Sequence, residues 1–215
     1  MAKRRRVGNL LALAVLSTVV QRPMHPYEMA SLLRERGKDQ DMKIKWGSLY
    51  TVVANMEKHG LLAATESVRQ GGRPERTVYA ITEAGREELK DWVRELLGTP
   101  EREQPRLATA LSVMSALPPG EAADLLRQRL ALLTAQLDTD RAMLGEAGRE
   151  IPRLFLVESE YGLALRTAEI TWLTTLVTEL TDGTFPGLAE WQAYHDTGEL
   201  PADIAELAER GSTKQ

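Results

Sequence analysis

Leu49, Val52, Val53 and Met56 recur at i, i+3, i+4 and i+7, a spacing that gathers four apolar side chains into one stripe of an α-helix. The opposite side carries Gly47, Thr51, Ala54 and Lys58, flanked by Ser48, Tyr50 and Asn55. One face is therefore made for burial and the other is small, polar or basic. Gly60 closes the segment in the position glycine favours after a helix, which predicts a helix over about 46–59. Beyond it the period drops from 3.6 to 2. Residues 61–68 read as one strand and 76–81 as a second, with Thr77, Tyr79 and Ile81 alternating against Val78 and Ala80. Between them lies Arg69-Gln70-Gly71-Gly72-Arg73-Pro74-Glu75, where two glycines supply the turn of a hairpin and Pro74 blunts further pairing.

Upstream, residues 7–20 are apolar on almost every side, with Leu10, Leu13, Ser17 and Val20 along one of them. A helix of that kind has to be covered from several directions, which predicts contact with a second subunit as well as with its own domain. Pro23 ends it, and Pro26 opens a second helix to about Arg36 with Tyr27, Met29, Ala30 and Leu33 as its apolar contacts and Gly37 at its close. His25, beside two prolines, reads as a structural cap in preference to a pH-sensitive group. Residues 38–45 form the turn into the next helix. After the hairpin, Thr82 and Glu83 start a fourth helix to about Leu97, striped by Leu89, Trp92, Val93 and Leu96 and stopped by Gly98.

Residues 99–106 hold two prolines and four charges and read as a linker. The remainder is helical. A short helix spans 107–117 and ends at Pro118-Pro119-Gly120; a longer one spans 121–145, with Leu126, Leu130, Leu133, Leu137 and Leu144 near a heptad repeat. A third, over 154–180, sets Val157, Tyr161, Leu165, Ala168, Trp172, Leu176 and Leu180 on one face and is roughly 40 Å long. This chain cannot cover such lengths alone, so a two-fold dimer is expected. Residues 183–215 follow as an extension with a short helix at 188–194 and an acidic one at 202–210; no role for them can be read.

The expected fold is mainly α with a small β-hairpin wing: an N-terminal winged helix-turn-helix over 1–98 and a C-terminal long-helix dimerisation domain. The former comprises a basic arm at 2–6, a recognition helix at about 46–59 and a wing at 61–81. The linker at 99–106, the helical domain at 107–182 and the extension at 183–215 complete the chain.

Charge sharpens this picture. Residues 1–95 hold 17 Lys and Arg against 12 Asp and Glu, and residues 96–215 hold 10 against 19, so a net charge of −4 hides a basic first half. Three arginines, at 69, 73 and 76, cluster on and beside the hairpin tip, where a protruding loop reaches phosphates or a minor groove. There is no cysteine, hence no disulfide framework, thiolate metal site or cysteine nucleophile. The run Lys3 to Arg6 followed by apolar residues imitates a secretory signal. It is too short to span a membrane and no small-residue cleavage site follows, which favours a cytoplasmic protein without membrane attachment. The histidines at 25, 59 and 195 form no metal or catalytic spacing, and no glycine-rich loop opens a helix as phosphate cradles require, so neither enzyme nor cofactor nor metal is expected.

Five segments carry a family resemblance: Pro23-Met24-His25-Pro26-Tyr27-Glu28-Met29, Gly47-Ser48-Leu49-Tyr50, Glu57-Lys58-His59-Gly60-Leu61, Gly72-Arg73-Pro74 and Tyr79-Ala80-Ile81-Thr82-Glu83-Ala84-Gly85. In order and spacing, over roughly residues 8–97, they resemble the PadR family of transcriptional regulators. Two departures stand out: Pro26 where many members have Gly, and Lys45-Trp46 where many have Ser-Pro or Asn-Pro. The resemblance implies dimerisation through a C-terminal helical region of the longer subgroup. It also implies that some members answer phenolic acids or hydrophobic drugs, although no motif carries an effector site onto residues here.

The reading is a homodimeric, sequence-specific DNA-binding regulator of the repressor type on a pseudo-palindromic operator, contacting double-stranded DNA through Tyr27, Lys45, Ser48, Tyr50, Thr51, Asn55 and Lys58, with Arg73 and Arg76 from the wing. A small hydrophobic or aromatic effector is the candidate for relieving repression, with Trp92 and Trp172 as flat aromatics at a subunit interface. The alternatives are a winged-helix protein-interaction module and a ligand sensor with weak DNA affinity.

Overall fold

The computed structural model describes residues 7–37, 46–68, 76–101 and 105–199, with backbone alone at 46–47, 66–68 and 76. The chain divides into two compact units, Met1–Arg102 and Glu103–Gln215. Among the described residues the architecture is mainly helical, with one two-stranded antiparallel hairpin, as the periodicity predicts.

In the first unit α1 (Leu10–Val19) and α2 (Pro26–Glu35) are followed by α3 (Trp46–Lys58), β1 (Leu62–Val68), β2 (Arg76–Ile81) and α4 (Glu83–Gly98). The basic arm, the turn at 38–45 and the hairpin tip at 69–75 lie outside the described residues. Asn9 caps α1 by accepting from the Ala12 N–H at 2.9 Å, and seven of the ten residues of α1 are buried. Its own unit covers that apolar helix, with α2, α3, α4 and β2 packed around it, while Leu10 stays exposed. The stripe Leu49, Val52, Val53 and Met56 is buried as expected and joins Leu16, Met24, Met29, Leu33 and Leu62 in one core. Removing a side chain as well packed as Leu16 or Leu49 costs about 2–5 kcal/mol.

Tyr27 departs from the expectation of an apolar contact: it is 65% exposed. Met29, Ala30 and Leu33 fill the core-facing side of α2, and Tyr27 sits one turn earlier on the outside. In the hairpin, Leu62 pairs with Ile81 and Val68 with Arg76, and the register slips between Ala64 and Glu66. Thr65, the extra residue of this bulge, donates its hydroxyl to the Val78 carbonyl at 3.3 Å.

The second unit begins with α5 (Arg106–Leu111) and a 3-10 turn (Met114–Ala116), where the sequence predicts a single helix. Two prolines follow, and Leu117 before them is extended (φ −107°, ψ 151°), as a residue preceding proline prefers. Pro119 then opens α6 (Pro119–Ala147). A 3-10 turn (Arg153–Phe155) takes the first residues of the predicted third helix, and α7 (Val157–Asp182) starts after it. Arg127 bonds Thr181, Arg129 bonds Glu169 at 2.6–2.8 Å, and Arg141 reaches Thr167, so α6 and α7 run antiparallel. Asp140 pairs with Arg166 along the same seam. The core of this unit comprises Ala122, Ala123, Leu126, Leu173, Leu176, Val177 and Leu180. The last helix among the described residues, α8 (Leu188–Thr197), is pinned by the Trp191 indole N–H donating to the Leu117 carbonyl at 2.9 Å. The acidic segment 202–210 lies outside the described residues.

Candidate nucleic-acid interface

Because four apolar residues of α3 anchor it in the core, the angle of about 100° per residue turns Ser48, Tyr50, Thr51, Ala54, Asn55 and Lys58 outward, and all six are exposed. Gly60 follows with φ +72° and ends the helix without steric cost. Lys58 lies in the last turn, where a cation also suits the helix dipole. The face presents hydroxyls, an amide and one ammonium, the groups that hydrogen-bond base edges and phosphates.

Beside this face stands the start of α2. His25 caps it: its Nδ1 accepts from the Tyr27 N–H at 3.1 Å, while its own N–H donates to the Glu28 carboxylate at 2.9 Å. Together these make a capping box with His in place of the usual Ser or Thr. The His25 ring meets Tyr50 edge-on, centroids 6.5 Å apart at 69°. Tyr50 itself is 52% exposed. Tyr27 and Tyr50, distant in sequence, are thus linked through His25 at one edge of the polar face. Arg22 pairs with the other side of Glu28 at 3.5 Å.

The wing is held to this frame by its second strand. Met24 and Tyr79 form an isolated antiparallel bridge, and the Tyr79 hydroxyl donates to the Glu57 carboxylate on α3. Burial, and after it the Glu57 charge and that hydrogen bond, raise the Tyr79 hydroxyl above its ordinary acidity range. Thr82 caps α4 by accepting from the Gly85 N–H at 3.0 Å and donates to the Gly60 carbonyl at 2.6 Å, tying the end of α3 to the start of α4.

Of the expected contact residues, Ser48, Tyr50, Thr51, Asn55 and Lys58 share the outward face of α3, and Tyr27 is exposed on α2. Lys45 and Arg73 lie outside the described residues. Arg76 is placed by backbone alone, opposite Val68 at the end of the hairpin nearest the tip. His25 is the residue that sequence reading assigned only to capping, because a ring contact across two helices leaves no local trace. Glu57 went unremarked for the same reason.

The two tryptophans expected at an interface have different surroundings. Trp92 is only 5% exposed and belongs to the core of the first unit. Trp172, on α7, is 50% exposed. Among the described residues no cluster of His, Asp and Glu is arranged to hold a metal ion, and no helix is long and apolar enough to cross a membrane.

Comparison with known proteins extends these observations. The family described as transcriptional regulator PadR-like matches residues 15–91, the stretch from α1 into α4. A Mycobacterium tuberculosis protein named as a probable transcriptional regulator is 33% identical over 88 residues, 39% of this chain and 43% of that protein, so the match spans less than half of the relative. Bacillus subtilis PadR, solved in complex with operator DNA, is similar with a TM-score of 0.67 at 20% identity, over 80% of this chain and 99% of that one. The Vibrio cholerae virulence activator AphA has a TM-score of 0.60 at 17% identity, over 80% of this chain and 98% of that one. At such identities the likeness establishes the fold. The stretch that carries the outward helix and the wing, residues 15–91, is thus similar to the PadR-like family of transcriptional regulators.

Proposed function

We propose that the chain is a sequence-specific DNA-binding regulator, a repressor that acts in the cytoplasm as a homodimer on a pseudo-palindromic operator. The observation that carries this reading is the polar face of α3, exposed on a helix whose other side is buried. A helix held from behind in this way can enter a major groove about 12 Å wide. Ser48, Thr51 and Asn55 then meet base edges, and Tyr27, Tyr50, Lys45 and Lys58 meet the backbone. Arg73 and Arg76 act from the wing, and the arm at 2–6 lies along phosphates. The solved PadR complex with operator DNA supports the same use of this fold.

The region 107–182 supplies dimerisation. Val157, Tyr161, Leu165, Ala168 and Trp172 remain exposed along α7 although Leu173, Leu176 and Val177 are buried. An apolar row of that length calls for a second copy, and a two-fold axis sets the two α3 helices about one turn, 34–36 Å, apart on the duplex. The work is binding, not catalysis. Bacillus subtilis PadR has also been solved with p-coumaric acid, at a TM-score of 0.66 and 18% identity. That supports a small aromatic effector here, for which Trp172 is the exposed candidate and Trp92 a residue acting from the core.

The test is a titration of the full chain against DNA from upstream of its own coding sequence and against a scramble, at low and physiological salt. Preference for the native duplex that survives physiological salt is expected, with a slope of about −0.9 per neutralised phosphate in log affinity against log salt. Absence of any duplex binding would move the chain to the protein-interaction alternative. Binding that is weak at all salts but sharpened by a planar aromatic acid would favour the ligand sensor.

A further inference from the structure

We propose that Arg22 is a further DNA-contacting residue: the Glu28 carboxylate, in the first turn of α2, positions its guanidinium beside the α3 face, where it meets a backbone phosphate. This rests on the DNA-binding reading and deepens it.

The placement is built from contacts that cross three elements. Arg22 Nη1 lies 3.5 Å from one oxygen of Glu28, and the other oxygen accepts the His25 N–H at 2.9 Å. The His25 ring meets Tyr50 edge-on, 6.5 Å between centroids, and Tyr50 stands half-exposed on the outward side of α3. Arg22 also precedes Met24 by two residues, and Met24 bridges Tyr79 of β2. The guanidinium therefore occupies the corner where the start of α2, the polar face of α3 and the root of the wing meet.

The chemistry of the group supplies the second part. The Arg22 side chain is 61% exposed and that of Glu28 47%, and an exposed pair at this separation adds little to stability. Among the described residues both contacts of Arg22, with Glu28 and with the Pro23 carbonyl at 3.4 Å, run through Nη1. Nε and Nη2 carry further N–H groups in a planar fork that matches two oxygens of a phosphate. Glu28 itself is committed to the capping box of α2, so it holds the arginine from a fixed place. The pair thus biases a long side chain before DNA arrives, which lowers the rotamer freedom lost on binding.

An arginine on a phosphate leaves a different signature from one that only braces α2. The first releases a counterion and adds affinity irrespective of base sequence. The second acts on the melting midpoint and leaves the salt slope alone. Arg22→Ala removes charge and fork together, whereas Arg22→Lys keeps the charge and loses the fork.

The experiment titrates full-length wild type, R22A and R22K against the upstream duplex and its scramble over a salt series, with a thermal melt of each variant. R22A should reduce the magnitude of the slope of log affinity against log salt by about 0.9 per protomer engaged. At low salt it should bind both duplexes about tenfold more weakly, by the same factor. R22K should keep the wild-type slope and recover part of the affinity. Wild-type slope and affinity in R22A, or a loss confined to the upstream duplex, would overturn the proposal. So would a lowered melting midpoint with the slope intact, the mark of a bracing role. If the wild type binds neither duplex, the DNA reading fails and the proposal with it, a result distinct from a variant that binds as the wild type does.

Discussion

Met24 and Tyr79 exchange two backbone hydrogen bonds, each N–H reaching the other's carbonyl at 3.0 Å. The pair joins the segment ahead of α2 to the second strand of the wing. Since the Tyr79 hydroxyl also donates to Glu57 on α3, one residue ties together the three parts of the proposed DNA reader. A rigid frame matters here because a polar helix face reads a groove only if its orientation is held.

The hydroxyl end of this link gives a pH prediction. Burial, then the charge of Glu57 and its hydrogen bond, raise Tyr79 above its ordinary 10.0. A raised value means that the native state holds the proton more tightly than the unfolded chain. The contribution is whole below pH 10 and disappears as pH climbs through the native value. In chemical denaturation, wild type should lose stability above pH 10 more steeply than Tyr79→Phe; parallel curves would remove Glu57 and Tyr79 as a linked pair.

Gly85 gives a steric prediction. A Cβ built there would lie 2.2 Å from the Leu61 carbonyl oxygen and 2.8 Å from Ile81 Cγ1. That same oxygen accepts the Thr82 N–H at 3.1 Å and the Thr82 hydroxyl at 3.1 Å, so it has little freedom to move. Gly85→Ala should destabilise the first unit by about 1–3 kcal/mol. Gly162→Ala, within α7 and with nothing within 4 Å, should instead stabilise by roughly 0.5–1 kcal/mol. Equal denaturation midpoints for the two variants would contradict the tight approach of α4 to Leu61.

The exposed row on α7 makes the oligomer testable without DNA. Leu165→Asp and Trp172→Asp place charges where the chain by itself exposes the side chain, so neither should unfold the protomer. Sedimentation should show them shifted from dimer to monomer at concentrations where wild type is dimeric. A variant that remains dimeric would put the subunit contact on another face.

Two residues of α3 should separate charge from readout. Lys58→Ala should reduce the magnitude of the salt slope by about 0.9 and weaken all duplexes alike. Asn55→Ala should lose about 1–3 kcal/mol on the operator alone. Equal binding curves for both variants and wild type on both duplexes would assign this face to something other than DNA.

Much of this architecture is written locally. The i, i+3, i+4, i+7 stripe of α3, the caps at Thr82 and Gly60, and the switch to period 2 after residue 61 each depend on neighbours a few positions apart, and the structure has them in place. Neighbour-based reading worked less well wherever a long-range partner decides. The predicted helix over 107–117 is interrupted by a 3-10 turn, and the carbonyls of Ser115 and Leu117 receive His195 at 3.0 Å and the Trp191 indole at 2.9 Å from 80 and 74 residues away.

The hydrophobic pattern by itself determined the order and type of elements, the buried stripe of α3 and its polar opposite face, because both follow from backbone period and side-chain polarity. Tertiary structure alone decided which apolar or aromatic groups are covered. Trp92 went to the core and Trp172 to the surface, Tyr27 turned outward, and His25 was brought to Tyr50. The physical reason is that burial and ring contact belong to pairs of elements, and no single segment encodes the angle at which another will cross it.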